Sequence, residues 1–242
     1  MQSENDDFTI RTRLLLGDSG LDALLASRIA VFGVGGVGSA CVLALTRCGV
    51  GSFLLVDPDC VSRSNMNRQS QAFECSVGRK KVDVLRDMVL EINPAANVET
   101  NDSFVKKDDV EIILSSTGGG FDFIVDSLDT ISTKLALALY AQQSGVPIIS
   151  CMGAANKIDP NCFEFADLYD TRDCPVCRVL RKEGRRAGLK SLDVIFSTAE
   201  NVARGDFLAA SDEALGSVSY VAPIMGMMAA GRVVLRLSGK LG

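Results

Sequence analysis

The sequence predicts an α/β protein with a Rossmann-like, doubly wound and mainly parallel sheet and a C-terminal extension. Three observations predict it. Short apolar runs alternate with longer helical stretches between residues 28 and 150, which is the rhythm of strand–helix–strand units. The first run leads into Gly33-Val34-Gly35-Gly36-Val37-Gly38, a loop that opens a helix. The second run ends on Asp57, 19 residues past Gly38, where a carboxylate can take both hydroxyls of a ribose.

The elements follow in order. Residues 1–27 start polar and become apolar around positions 14–16 and 21–25, as an N-terminal helical arm. Residues 28–33 form a buried strand, and 37–48 a helix with small residues facing inward. Residues 52–57 are the second strand. After a long connection comes a helix over about 78–92, stopped at Asn93-Pro94, where proline disfavours continuation. Residues 98–100 and 122–126 are further strands, and SSTGGG at 115–120 is a flexible loop between elements. A helix over 131–144 ends at Gly145, and 147–150 is the fifth strand. Beyond residue 150 the rhythm changes: a loop over 153–160, strands at 162–165 and 193–197, a basic segment at 178–189, and a closing helix from about 217. The expected organisation over 1–242 is one domain: arm 1–27, nucleotide-binding core 28–150 and substrate-side extension 151–242.

Composition narrows the functions. The chain has 242 residues, 47% of them apolar, and a net charge of −5; it can fill a sizeable core and has no global basic field to draw it to nucleic acid. It has no histidine, which excludes Ser-His and Cys-His nucleophile pairs and the usual near-neutral general base. No leader-like segment and no uninterrupted apolar stretch of membrane-spanning length is present, since residues 218–237 contain Arg232 and Arg236. The expectation is a cytoplasmic protein in a reducing compartment, its eight cysteines mostly small core residues or free thiols.

The glycine loop is the phosphate-binding candidate, through Gly33, Gly35, Gly36 and Gly38. With Asp57 it fits any adenine dinucleotide or nucleotide, and on that basis alone an NAD(P)-binding oxidoreductase leads. The residues after the acid separate the choices. Asp57 and Asp59 cover a ribose; then Ser64, Asn65, Asn67, Arg68 and Gln69 put amides and a permanent cation on one loop, and Lys81 follows at the start of the next helix. Two cations with amide donors suit a triphosphate that loses pyrophosphate better than a diphosphate bridge that stays intact. Asp129, with Thr130 after it, faces the same crevice outside the strand carboxyl ends; its carboxylate can hold phosphate-bound Mg²⁺ or cap the following helix.

At this point GVGGVGS, the Asp57/Asp59 pair, SNMNRQ, the GRKK reaching Lys81, Ile92-Asn93-Pro94 and VDSLDT, in that order, resemble the ubiquitin-activating-enzyme-like (ThiF-type) adenylyltransferase superfamily. The likeness covers roughly residues 11–150. Residues 153–190 resemble the superfamily's tRNA threonylcarbamoyladenosine dehydratase branch, as does the closing GSVSYVAPIMGMMAAG. The resemblance implies ATP and Mg²⁺ as cofactors, and activation of the threonylcarbamoyl carboxylate on adenosine 37 of tRNA, followed by cyclisation with loss of water. It implies that Asp57 binds ribose, that residues 64–68 and Lys81 hold the phosphates, that Asp129 holds Mg²⁺, and that Arg68 stabilises charge on the leaving pyrophosphate, making Arg68, Lys81 and Asp129 the catalytic set. It also implies a homodimer. The other readings are an enzyme activating the C-terminal glycine of a sulfur-carrier or ubiquitin-like protein, with such a protein as partner, an NAD(P) oxidoreductase, and a non-catalytic nucleotide-binding scaffold.

Two features stand beside these. Cys174-Pro175-Val176-Cys177 is a CxxC with no second pair after it; the expected reading is free thiols at a helix start and no zinc. Arg178, Arg181, Lys182, Arg185 and Arg186 fall at helical spacing and Lys190 extends the stripe, six cations against Glu183. They are the candidate tRNA-backbone contacts, or else a solvated face.

Overall fold

A computed structural model of the chain describes residues 7–116, 118, 120–202 and 215–241. The first six residues of the expected arm, two positions of the 115–120 loop, residues 203–214 of the extension and the last residue lie outside the described residues.

The described elements run α1 (Ile10–Ala26), β1 (Arg28–Phe32), α2 (Gly36–Arg47), β2 (Ser52–Val56), α3 (Lys81–Ile92), β3 (Asn97–Asn101), α4 (Val110–Ser116), β4 (Phe123–Asp126), α5 (Ile131–Ser144), β5 (Ile148–Cys151), β6 (Phe163–Asp167), α6 (Pro175–Ala187), β7 (Asp193–Ser197) and α7 (Val221–Leu237). The strands form one seven-stranded sheet in the order β3-β2-β1-β4-β5-β7-β6. Every pairing is parallel except that of β6 with β7. Strand order reverses between β1 and β4, which opens a crevice at their carboxyl ends.

Burial on both faces explains the unbroken apolar runs. Side chains alternate with the strand period of two. Ile29, Val31, Phe53, Leu55, Phe123 and Val125 pack on one face with α2, α3 and α7. Ala30, Phe32, Leu54, Val56 and Ile124 pack on the other with α4 and α5. A third cluster joins β7 to α6 and α5 through Leu180, Leu189, Leu192, Val194 and Ala138.

Four boundaries differ from expectation, each for a local reason. α3 starts at Lys81, not near residue 78, because Gly78 adopts a left-handed φ of 87° and Lys80 forms the cap. α7 starts at Val221, not near 217; Pro223 lacks an N–H and fits only a first turn, and residues 215–218 carry no regular secondary structure. Residues 115–120 are not wholly a loop, since Ser115 and Ser116 close the short helix α4. The arm α1 breaks at Gly17, which has φ 78° and ψ 174°.

Candidate active site

Backbone geometry at the end of β1 builds the site. Gly33 has φ of 83°, and a Cβ there would lie 2.8 Å from the Ser127 carbonyl oxygen, so only glycine lets β1 pass β4 at this point. A Cβ on Gly38 would lie 1.9 Å from the Gly33 carbonyl oxygen. The first turn of α2 therefore closes directly on the loop, and its free N–H groups face the crevice.

Asp57, 6% exposed at the end of β2, is the organiser. One carboxylate oxygen accepts from the Val34 N–H at 2.8 Å, and the other from the Asp59 N–H at 3.0 Å. Burial pushes its pKa above the ordinary carboxylate value; the Lys81 ammonium, 4.0 Å away, and these two N–H bonds act in the opposite direction. Lys81 is itself buried and donates to Asp59 at 2.7 Å. Asp59, expected on the ribose, lines the same cleft and also holds Lys81 in place.

The loop after β2 forms one wall. Asn65 accepts the Ser62 N–H at 3.0 Å, and Ser64 and Ser62 share a hydroxyl contact of 2.9 Å. Arg68 donates from Nη1 to the Ser64 carbonyl at 3.0 Å and to Asn67 Oδ1 at 2.8 Å. Gln69 is buried, and its Oε1 has no partner among the described residues. On the opposite wall Asp129 is exposed and, among the described residues, its carboxylate accepts only the Thr130 hydroxyl, at 3.3 Å; Thr130, not Asp129, is the cap residue of α5.

Gly33, Gly35, Gly36, Asp57, Asp59, Asn65, Arg68, Gln69, Lys81, Asp129 and Thr130 line one cleft of about 450 Å³. Gly38 lies beneath it, and Ser64 and Asn67 act on it through Arg68. The reading from residues alone missed several members of this cleft. Phe104, 63% exposed, Val105, Ser127 and Leu128 also line it. An exposed aromatic beside a leucine suits a planar base.

A second chamber of about 200 Å³ shares Gly35, Gly36, Arg68 and Ser127 with the cleft. Its far wall is Ala154, Ala155, Leu215, Gly216 and Ser217, from the second half of the chain. Asn156 fastens that wall. Its φ is 58°, its Oδ1 accepts the Gly216 N–H at 2.7 Å, and its own N–H donates to the Gly216 carbonyl at 2.8 Å. Asn67 donates to the Ser217 carbonyl at 3.0 Å, so the nucleotide loop and the extension meet over Arg68.

Under the crevice lies a pair that the residue reading also missed. Lys134, 1% exposed, donates to Asp126 at 3.0 Å and to the Cys151 carbonyl at 2.7 Å. Asp126 also accepts the Ser150 hydroxyl and the Leu128 N–H.

The basic segment is helical, as α6 requires, but it is not one free stripe. Arg181 turns inward to the Thr171 carbonyl at 2.8 Å, and Arg186 pairs with Glu183 at 3.0 Å. Arg185 lies over the Tyr169 ring, 5.2 Å from its centre. Arg178, Lys182, Arg185, Arg186 and Lys190 are exposed, and Arg181, expected with them, is half-buried.

Residues 9–241 match the model of the ThiF family. The tRNA threonylcarbamoyladenosine dehydratase of Bacillus subtilis is 37% identical over 239 residues, which is 94% of this chain and 93% of that one. The crystal structure of Escherichia coli tRNA N6-threonylcarbamoyladenosine dehydratase in complex with AMP superposes with a TM-score of 0.86 at 31% identity, covering 95% of this chain and 93% of that one. The molybdopterin-synthase adenylyltransferase of Salmonella typhimurium is 33% identical, but over 58% of this chain and 54% of that one.

Proposed function

This chain belongs to the ThiF family, and from that premise we propose that it is an ATP-dependent tRNA threonylcarbamoyladenosine dehydratase. One observation carries the reading. The cleft built from the glycine loop, Asp57, Lys81 and Asp129 shares Gly35, Gly36, Arg68 and Ser127 with an adjoining chamber walled by the second half of the chain. A nucleotide in the first space and a carboxylate in the second meet at the amino end of α2.

The chemistry follows from the residues. Asp57 takes the ribose, and the base rests at Phe104 and Leu128. Gly35, Gly36 and the first turn of α2 present N–H groups to phosphate. Arg68 and Lys81 supply two cations where charge gathers as pyrophosphate leaves. The threonylcarbamoyl carboxylate, ionised at neutral pH, attacks the α-phosphorus; the bond to pyrophosphate breaks and an acyl-adenylate forms. The ureido group of the same substrate then attacks the acyl carbon, the bond to AMP breaks and one ureido N–H proton passes to solvent; AMP carries off the carboxylate oxygen that counts as the lost water. No step in activating a carboxylate needs a general base, which suits a chain without histidine.

Asp129 fits a Mg²⁺ ion that is bound mainly by phosphate and water, since one exposed carboxylate on the cleft is a common protein contribution to such sites. Bound there, Mg²⁺ would neutralise phosphate charge. Residues 1–242 act as one ThiF-type domain, with 151–242 on the substrate side and the enzyme working in the cytoplasm on tRNA. Among the described helices none is long and apolar enough to cross a membrane.

Two further proposals have direct tests. The exposed residues of α6 and Lys190 receive the tRNA backbone. Changing Arg185 and Arg186 to Gln should flatten the plot of log affinity against log salt, by about 0.7–0.9 for every phosphate no longer neutralised. An unchanged slope assigns them to solvent. The enzyme is also a homodimer that covers the α1 side chains Leu14 and Leu15, 71% and 82% exposed in the single chain. Light scattering should give twice the chain mass, and Leu15→Glu should halve it; a monomer before mutation would end this assignment. The reaction itself is tested by pyrophosphate exchange into ATP, which should require threonylcarbamoyl-bearing tRNA. Exchange with a carrier protein in its place would move the chain to the other activating class.

A further inference from the structure

Cys174 and Cys177 take no part in the reaction above, and their setting differs from that of the other six cysteines. Cys174 is the cap residue of α6, Pro175 opens the helix, and Cys177 sits within its first turn. Both are buried, at 6% and 0% exposure, in the cluster that joins α6 to β7. Cys174 has an extended backbone, φ −96° and ψ 118°, as the cap residue, and Cys177 is the third residue of the helix it caps, so the pair shares the first turn of α6. Cations flank the pair: Lys157, from the loop after β5, acts on Cys174, and Arg181 on Cys177. Thr171, whose hydroxyl donates to the Leu168 carbonyl, takes the Arg181 guanidinium. Between the two cysteines Val176 reaches the loop that walls the substrate chamber, its Cγ2 lying 3.7 Å from where a Cβ on Gly153 would be. Among the described residues no group of three metal-ligating side chains includes these thiols, and a closed zinc site needs four ligands.

We propose that Cys174 and Cys177 are a thiol–disulfide centre that closes reversibly to an intramolecular disulfide behind the substrate chamber. The co-reactant is a small oxidant of the peroxide class. The Cys174 thiolate attacks one oxygen of hydrogen peroxide, the O–O bond breaks, and the departing hydroxide takes up a proton to become water. The Cys177 sulfur then attacks the sulfenic sulfur of Cys174, the S–O bond breaks, and the hydroxyl leaves as a second water with the Cys177 proton. Two thiols lose two electrons and one peroxide becomes two waters; a small dithiol reverses the change by exchange. The roles follow from the microenvironment. The Cys177 hydrogen bond lowers the Cys174 pKa to about 6, so Cys174 is the thiolate and attacks first. The same bond, together with burial, raises Cys177, which keeps its proton until the second step.

The test uses the full chain with the exposed thiols Cys60 and Cys75 changed to serine. After stoichiometric hydrogen peroxide, peptide mass mapping should find one 174–177 crosslink, two hydrogens lighter, that dithiothreitol removes. The rate of its formation should rise through pH about 6 and then level off. Cys177→Ser should stop at a sulfenic acid on Cys174 that a dimedone probe traps. A 174–177 pair that stays reduced while a free small thiol is oxidised would overturn the proposal. So would oxidation of Cys174 to the sulfinic acid beside an intact Cys177, or one zinc ion per chain that survives a chelator.

Discussion

Replacing Arg68 with alanine should cut turnover roughly 10²–10³-fold while ATP affinity falls less than about tenfold. The split follows from its position. Arg68 Nη1 is fixed by the Ser64 carbonyl and by Asn67, which leaves the donors on Nη2 and Nε for a ligand. The residue lines both the cleft and the chamber, so it stands where a leaving pyrophosphate and an entering carboxylate meet. Charge there grows as the reaction proceeds, and a fixed cation is worth more to the transition state than to bound ATP. Arg68→Lys should recover little, because an ammonium cannot both keep the two anchoring bonds and present a planar fork. Turnover with tRNA and equilibrium binding of ATP, measured on the same preparation, separate the two roles. Equal losses in both would reduce Arg68 to a binding residue.

Replacing Lys134 with methionine should cost about 3–5 kcal/mol of stability, the usual penalty for leaving one partner of a buried ion pair alone. Asp126 is 0% exposed and, among the described residues, would keep only the Ser150 hydroxyl and the Leu128 N–H. The double change Lys134→Met with Asp126→Leu should regain much of the loss, because a well-packed apolar pair removes the stranded charge. Urea unfolding of the wild type, both singles and the double gives the coupling directly. A single Lys134→Met variant within about 0.5 kcal/mol of wild type would show that Asp126 already finds enough support from its neutral partners. The pair also reaches the site, since Asp126 ends β4 and holds the N–H of Leu128, which lines the cleft.

The fold was legible because its signals are periodic. Parallel strands buried on both faces give runs such as residues 52–56, and the helices between them repeat apolar residues at their own spacing. The nucleotide loop was legible because it is contiguous: Gly33 to Gly38, Asp57 and residues 64–69 carry their chemistry in short words. Other features were not legible, for physical reasons. Lys134 lies within a helix, where a lysine ordinarily means solvent, and only the sheet order brings it to Asp126 and Ser150. Phe104 comes after β3, and nothing local tells a cleft residue from a core one. Asn156 and Gly216 are far apart in the chain, so their pairing exists only in the folded molecule. Arg181 has the spacing of the basic stripe, yet the Thr171 carbonyl draws it inward; periodicity places a residue on a helix face but does not say what the neighbouring loop offers it. The short helix α4, Val110–Ser116, carries too few turns for its period to stand out.

The most direct test of the proposed reaction incubates the purified chain with Mg-ATP and tRNA bearing threonylcarbamoyladenosine at position 37, then digests the tRNA and weighs its nucleosides. The expected product is a modified nucleoside lighter by one water, formed together with one AMP. Unchanged threonylcarbamoyladenosine, with ATP left intact, would contradict the assignment.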